Sequence, residues 1–275
     1  MMPMEPFAER RAAFRALHRE GCFLLPNPWD AGTARFLAAE GFAALATTSS
    51  GAAYTRGLAD GAMDLDATLA HAAEIVAASP LPVNADFGAG FGTDEAGVAD
   101  AVARCAATGV AALSIEDSAE ALQPALFPLD FAVLRLRAAR RALDAAGGEV
   151  MLVGRCEVFF TPQADPMAEA LARIAAYAEA GAEVIYVPGL TTLDQMAAVV
   201  RCVSPLPVNV LVSRPLGFMQ AEIAATGVRR ISVGGALARV AWGAFANATR
   251  ALKTGQFDAF GAGLPGGELN RLFGG

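Results

Sequence analysis

Eight times along its 275 residues, a short run of apolar and β-branched residues is followed by a longer alanine-rich stretch of helical character. The strand candidates fall at 22–26, 43–47, 82–86, 111–116, 150–157, 183–187, 207–211 and 230–234. The helical stretches fall at 31–40, 64–78, 94–108, 129–146, 165–180, 193–203, 217–226 and 236–253. Alternation carried through eight units predicts an α/β fold of the (β/α)8 TIM-barrel class. Four of the helical stretches end at Gly41, Gly109, Gly181 and Gly227, where a left-handed C-terminal cap favours a residue without Cβ. The segment Ser79-Pro80-Leu81-Pro82-Val83-Asn84 recurs letter for letter at Ser204-Pro205-Leu206-Pro207-Val208-Asn209. These are strands three and seven, on opposite sides of a barrel, and shared strand-entry chemistry explains the echo more simply than duplication of a half-barrel. A doubly wound open sheet is the rival fold. It needs a phosphate-binding fingerprint after its first strand, which Pro26-Asn27-Pro28-Trp29-Asp30 does not supply.

One barrel domain over 1–275 is expected, with a helix at about 3–19 and a tail at about 255–275. A net charge of −7 with scattered arginines argues against a nucleic-acid partner. Cys22, Cys105, Cys156 and Cys202 are far apart without metal-type spacing, so they read as reduced thiols. With no signal-peptide pattern and no membrane-spanning apolar run, a soluble cytoplasmic protein is expected.

In a barrel, chemistry gathers at the C-terminal ends of strands and the loops that follow. The most informative such place is Pro82 to Gly92, which delivers Asp86 into a loop containing Gly88, Gly90 and Gly92. Other strand ends add Asp30, Thr47 through Ser50 with Asp60, Glu116 with Asp117, Arg155 with Glu157, and Asn209 with Ser213. The only lysine, Lys253, lies in the last helix, which excludes a Schiff-base lysine on a barrel strand. The only histidines, His18 and His71, fall in helices away from the strand ends, where surface positions are expected and a His-ligated zinc site is not. Carboxylates without histidine or thiol ligands suit Mg²⁺ or Mn²⁺, with water and substrate oxygens completing the shell.

These residues resemble the isocitrate lyase and phosphoenolpyruvate mutase superfamily from about Gly21 to Lys253. The resemblance is carried by the Thr48-Ser49-Ser50 turn with Gly57-Leu58-Ala59-Asp60, the Asp86-Phe87-Gly88-Ala89-Gly90-Phe91-Gly92 loop, Ile115-Glu116-Asp117, and Gly154-Arg155-Cys156-Glu157. It implies that Asp86 touches Mg²⁺ directly while Asp60 and Glu116 hold it through water. It implies also that Thr48, Ser49 and Ser50 grip a 2-oxo acid and that Arg155 binds near its oxyanion, with Glu157 as partner of Arg155. Asn209 is a further substrate-binding candidate from its strand end. The resemblance further implies a homodimer or homotetramer in which the last barrel helix is exchanged between subunits. The apolar segment 240–246 suits such an exchange, burial against its own barrel being the alternative.

Two departures bear on activity. Gly88 stands where the family commonly carries a second acid. The loop after Glu116, Ser118 through Pro128, lacks the cysteine, lysine and histidine of the lyases and the lysine and asparagine of the mutases. Glu120, Gln123, Glu157 and Tyr54 remain as candidates for proton transfer. Cys156 is turned by strand alternation away from the face of Arg155 and Glu157. The expected activity is that of a Mg²⁺-dependent lyase on a small 2-oxo or 2-hydroxy di- or tricarboxylate, through a metal-stabilised enolate. Oxaloacetate-type decarboxylation best tolerates the bare loop. Phosphonopyruvate P–C chemistry and a catalytically weakened 2-oxo acid binding protein are the alternatives.

Overall fold

A computed structural model describes residues 5–118 and 125–274. Eight parallel strands form one sheet in the order β1-β8-β7-β6-β5-β4-β3-β2. They are β1 (Phe23–Leu25), β2 (Leu45–Ala46), β3 (Val83–Asp86), β4 (Ala112–Glu116), β5 (Met151–Arg155), β6 (Val184–Tyr186), β7 (Val208–Leu211) and β8 (Arg230–Ser232). The ladder thins between β1 and β2, where Ala46 N–H donates to Pro26 O at 3.0 Å. Pro26 and Pro28 carry no N–H to extend it. The result is a nearly closed (β/α)8 barrel.

The helices are α1 (Glu5–Leu17), α2 (Ala31–Ala39), α3 (Ser49–Thr55), α4 (Leu65–Ala78), α5 (Glu95–Ala107), α6 (Leu129–Ala145), α7 (Pro166–Glu179), α8 (Leu193–Val203), α9 (Gln220–Ala225), α10 (Ala236–Lys253) and α11 (Gly266–Phe273). Side-chain oxygens of Asp30, Asp64, Asp94, Asp165 and Thr192 each accept a backbone N–H of the following helix. These caps fix where five of the barrel helices begin and satisfy donors that a helix leaves orphaned. Asp30, one of the strand-end acids, is thereby a cap, accepting from Thr33 N at 2.7 Å.

Strand alternation sorts the core into two parts. Leu113, Ile115, Leu152, Ile185, Val208, Val210 and Ile231 face outward and pack against the helices. Ala112, Met151, Val153, Val184 and Tyr186 face the barrel axis together with Phe14 of α1. Helix α1 therefore plugs the end of the barrel at which the strands begin. Phe14 is 0% exposed, and its ring stacks edge-on against His18 at 4.8 Å and Phe23 at 6.3 Å. The polar face of α1 is tied down by Arg11, whose Nε donates to Val110 O at 3.1 Å and Nη2 to Ala106 O at 3.0 Å.

Two expectations change. Both histidines are buried rather than superficial: His18 lies inside the plug, and His71 lies on the inner face of α4. The turn after β2 is a full helix, α3, and the tail forms a short 3-10 turn at Asp258–Ala262 followed by α11. Among the described residues, no helix is long and apolar enough to cross a membrane.

Candidate active site

At the C-terminal ends of β3, β4 and β5 the ladder places Asp86 beside Ser114 and Glu116 beside Arg155. Arg155 becomes the hub. Its Nη1 lies 3.0 Å from Asp86 Oδ1 and 3.0 Å from Glu116 Oε2, and its Nε donates to Glu157 Oε1 at 2.5 Å. Glu157 lies past the end of β5, at the start of a 3-10 turn, so alternation does not explain why it faces Arg155. Its backbone does, because Glu157 N–H donates to Asp117 Oδ1 at 2.7 Å. Asp117 is 2% exposed and also accepts from Tyr177 Oη, with Arg173 Nη1 at 3.3 Å. Cys156 is buried on the other face, within the outer core.

The turn after β2 comes in from the opposite wall. Thr48 caps α3, its Oγ1 accepting from Gly51 N at 3.3 Å and lying 3.1 Å from Ser50 Oγ. Ser49 N–H, at the first turn of α3, donates to Asp86 Oδ2 at 3.1 Å, and Ser49 Oγ donates to Asp60 Oδ1 at 3.2 Å. Thr47 Oγ1 accepts from Asp86 N at 2.8 Å. Asp86, Asp60, Glu116, Glu157, Arg155 and Ser49 thus share one mouth.

The glycine loop after β3 is held in a conformation few sequences allow. Phe91 takes a left-handed φ of +59°, rare for a bulky residue. A Cβ on Gly92 would lie 2.1 Å from Val98 N, at the start of α5. Arg135 on α6 clamps the loop, donating through Nη1 to Gly92 O at 2.8 Å and through Nε to Ala89 O at 3.1 Å. Its guanidinium lies 5.0 Å from the Phe127 ring centroid and 5.4 Å from that of Phe131. Gly88 is open on the side-chain side, and its carbonyl accepts from Glu116 N at 2.9 Å, joining the β3 and β4 loops.

Burial raises the Glu116 carboxyl to about 8, against the pull of Arg155. Burial raises Glu157 too, again opposed by Arg155. Asp60 is raised by burial and then by the charge of Asp86. Arg155 is itself buried, but Glu116, Glu157 and Asp86 hold it firmly charged. Acids crowded and buried this closely keep their protons for want of a counter-charge, which a divalent cation would supply. Among the described residues no three acidic, histidine or cysteine side chains converge tightly enough to chelate an ion directly. Such a donor set fits an ion touched by one carboxylate and steadied by others through water.

Asn209 lies deeper, 1% exposed, with Oδ1 accepting from Arg230 Nε at 2.9 Å and Nδ2 donating to Ser232 Oγ at 3.0 Å. Its polar atoms already serve the protein. Tyr54 is not at this mouth: it lines an outer groove with Leu58, Arg239 and Trp242. Glu120 and Gln123 lie outside the described residues. Two cavities meet at Asp86. A wider one of about 740 Å³ is walled by Phe91, Phe127, Phe131 and Phe160, and a narrower one of about 310 Å³ runs inward past Asn84, Tyr186 and Arg230. Sequence reasoning missed Asn84, Ser114, Tyr186 and Arg230. Asn84 and Ser114 carry a signal, being polar residues spaced by two from the strand-end acids Asp86 and Glu116, whereas Tyr186 and Arg230 carry none.

The sequence profile of the phosphoenolpyruvate phosphomutase family matches residues 14–253. The chain belongs to the phosphoenolpyruvate phosphomutase family. It is 32% identical over 251 residues to an uncharacterised Mycobacterium tuberculosis protein, covering 89% of this chain and 90% of that one. A Burkholderia cenocepacia J2315 structure, provisionally assigned as a lyase or mutase, is 44% identical, with a TM-score of 0.93 over 98% of both chains. The structure of 2,3-dimethylmalate lyase, a member of the phosphoenolpyruvate mutase and isocitrate lyase superfamily, is 28% identical. It has a TM-score of 0.83, over 98% of this chain and 94% of that one. These neighbours place the phosphomutase-family chain among lyases and mutases.

Proposed function

We propose that this phosphomutase-family protein is a Mg²⁺-dependent lyase, with Mn²⁺ as a substitute, acting on a small 2-oxo or 2-hydroxy di- or tricarboxylate. The observation that carries the reading is the single guanidinium of Arg155 joined to Asp86, Glu116 and Glu157 at one barrel mouth. Asp86 is the residue to touch the ion, and Asp60 and Glu116 hold its water. A bound Mg²⁺ supplies Lewis-acid stabilisation of the charge that develops on a 2-oxo oxygen as the neighbouring bond breaks.

The chain's own residues do the rest. Thr48, Ser49 and Ser50 present hydroxyls, and the start of α3 presents backbone N–H groups, to the carboxylate and oxo oxygens of a 2-oxo acid. Arg155 stays charged beside them and offers its positive charge to the developing oxyanion. Glu157 fixes the plane of that guanidinium, and Asn209 shapes the inner wall. Decarboxylation is favoured over cysteine-dependent cleavage, because the chain carries no cysteine in the 118–128 loop and a carbanion formed here can take its proton from water.

The direct test is turnover. Wild-type protein should release pyruvate or a related 2-oxo acid from a panel of such acids, with activity lost in EDTA and restored by Mg²⁺. Asp86→Ala should lose at least about a thousandfold in kcat/KM, the loss of about 4 kcal/mol of transition-state stabilisation. Unchanged turnover in that variant would refute the assignment. Phosphonopyruvate chemistry stands second, favoured by the family profile. Conversion of phosphonopyruvate in a ³¹P assay, without cleavage of the carbon acids, would reverse the order. Metal-dependent oxalate binding with no turnover across the panel would instead indicate a 2-oxo acid binding protein.

A homodimer or homotetramer built through α10 goes with this reading. Val240, Trp242 and Phe245 are 70%, 46% and 59% exposed, and Ala238 alone is buried among the residues of that helix. Such an apolar face is costly in water and is covered by a second copy that exchanges the helix. Light scattering should report a dimer or tetramer at micromolar concentration, and a monomer would remove the idea.

A further inference from the structure

Among the described residues Arg230 is the largest fully buried side chain, 2% exposed, and it lies inside the barrel rather than at its mouth. Its Nε donates to Asn209 Oδ1 at 2.9 Å, and its Nη1 lies 3.3 Å from Asn84 Oδ1 and 3.4 Å from His18 Nε2. Asn84 and Asn209 are the last residues of the two copies of Ser-Pro-Leu-Pro-Val-Asn, so the echo in strands three and seven places two amide oxygens on one guanidinium. His18 is neutral. Its Nδ1 donates to Phe14 O at 2.8 Å, which leaves Nε2 as an acceptor, and burial lowers the imidazole to about 3.

None of these partners carries negative charge. The acidic group nearest in effect is Tyr186, whose phenol burial pushes up to about 12 and so keeps protonated. Burial lowers Arg230 to about 9, and a guanidinium still carries its charge at neutral pH. A desolvated cation with only neutral partners costs several kcal/mol unless an anion joins it. Among the described residues no carboxylate forms an ion pair with Arg230. Yet Arg230 lines the narrow cavity of about 310 Å³ whose other end is bounded by Asp86, Asp60 and Arg155.

We propose that Arg230, oriented by Asn84 and Asn209, is an anion subsite inside the barrel that receives the distal carboxylate of the substrate. The first carboxylate and oxo group then lie at Asp86 and the α3 turn, and the molecule points down the barrel axis. This deepens the function proposed above and rests on it. The substrate class becomes a 2-oxo or 2-hydroxy diacid, and monoacids of equal length bind without the second anchor. Asn84 and Asn209 are positioning residues, since they hold the guanidinium without neutralising it.

Calorimetry on Mn²⁺-loaded protein tests the subsite, with 2-oxoglutarate and 3,3-difluorooxaloacetate as diacids and 2-oxopentanoate and 2-oxobutyrate as monoacids. Wild type should bind the better diacid at least about tenfold more tightly than its monoacid counterpart, as one charge-assisted pair predicts. Arg230→Met should abolish that preference while leaving monoacid affinity within about twofold, and Arg230→Lys should retain part of it. A folded Arg230→Met protein with an unchanged preference, or wild type without one, would overturn the proposal. A bromide soak of metal-free wild-type crystals reads the subsite without any variant and without turnover. An anomalous peak in hydrogen-bonding reach of Arg230 supports it, and no peak there overturns it. Should neither acid class bind in the presence of metal, the functional reading fails, and the bromide result alone decides whether the anion subsite stands.

Discussion

Arg155 serves three carboxylates with one guanidinium, and its orientation depends on a group that touches none of them. Asp117 receives Glu157 N–H on one oxygen and Tyr177 and Arg173 on the other, all deeply buried. Asp117→Ala would leave Arg173 with Glu169 as its acidic partner and strip Glu157 N–H and Tyr177 Oη of a buried acceptor, a loss of about 3 kcal/mol. Urea denaturation should register a loss of that size, together with a fall in kcat from the misaligned Arg155. A loss below about 1 kcal/mol would show that Asp117 holds nothing in place. Asp86, Asp60, Glu116 and Arg155 are legible in the sequence because each closes a strand or follows one, and the glycines beside Asp86 mark a close backbone approach. Arg230 and Tyr186 are not legible in the same way. They sit in three-residue strands, too short for an alternating pattern to announce which face is inward.

At the scale of elements, the glycine loop after β3 depends on α6. Arg135 satisfies Ala89 O and Gly92 O from below and is itself held between two phenyl rings. Arg135→Met keeps much of the packing volume and removes the donors. Under the functional reading, Mn²⁺ affinity should drop by about tenfold, with a stability loss of about 2 kcal/mol from two buried carbonyls left short of partners. An unchanged Mn²⁺ dissociation constant would mean the loop needs no such clamp. The eight strands, the seven helices that join them and α10 after the last are readable because caps such as Asp64, Asp94 and Asp165 and helix-ending glycines such as Gly109, Gly181 and Gly227 carry their own physical signal. Helix α3 was not. Its seven residues open with two serines, and its stability comes from the Thr48 cap and from Gly51, Ala52 and Ala53 packed inward, features that read locally as a turn. The burial of His18 is hidden for a related reason: α1 resembles an exposed amphipathic helix until the barrel bottom it plugs is known.

For the whole molecule, that plug makes stability depend on pH. His18 is neutral when folded and titrates near 3, against an unfolded value near 6.5. The unfolded chain therefore binds the extra proton between these limits. The stabilisation is complete above about pH 6.5 and is lost as pH falls toward 3, at up to about 1.4 kcal/mol per pH unit. His71, lowered by burial as well, adds to the same trend. His18→Gln should flatten the dependence between pH 6 and about 4 in denaturant titrations, and an equally steep variant would contradict this account of the plug. The proposed function makes one central claim, that Asp86 is where a divalent ion meets a 2-oxo acid. Crystals grown with Mn²⁺ and oxalate test it most directly. The account predicts an anomalous Mn²⁺ peak about 2.1 Å from an Asp86 oxygen, with Asp60 and Glu116 one water further out. A peak elsewhere, or none at Asp86, would contradict it.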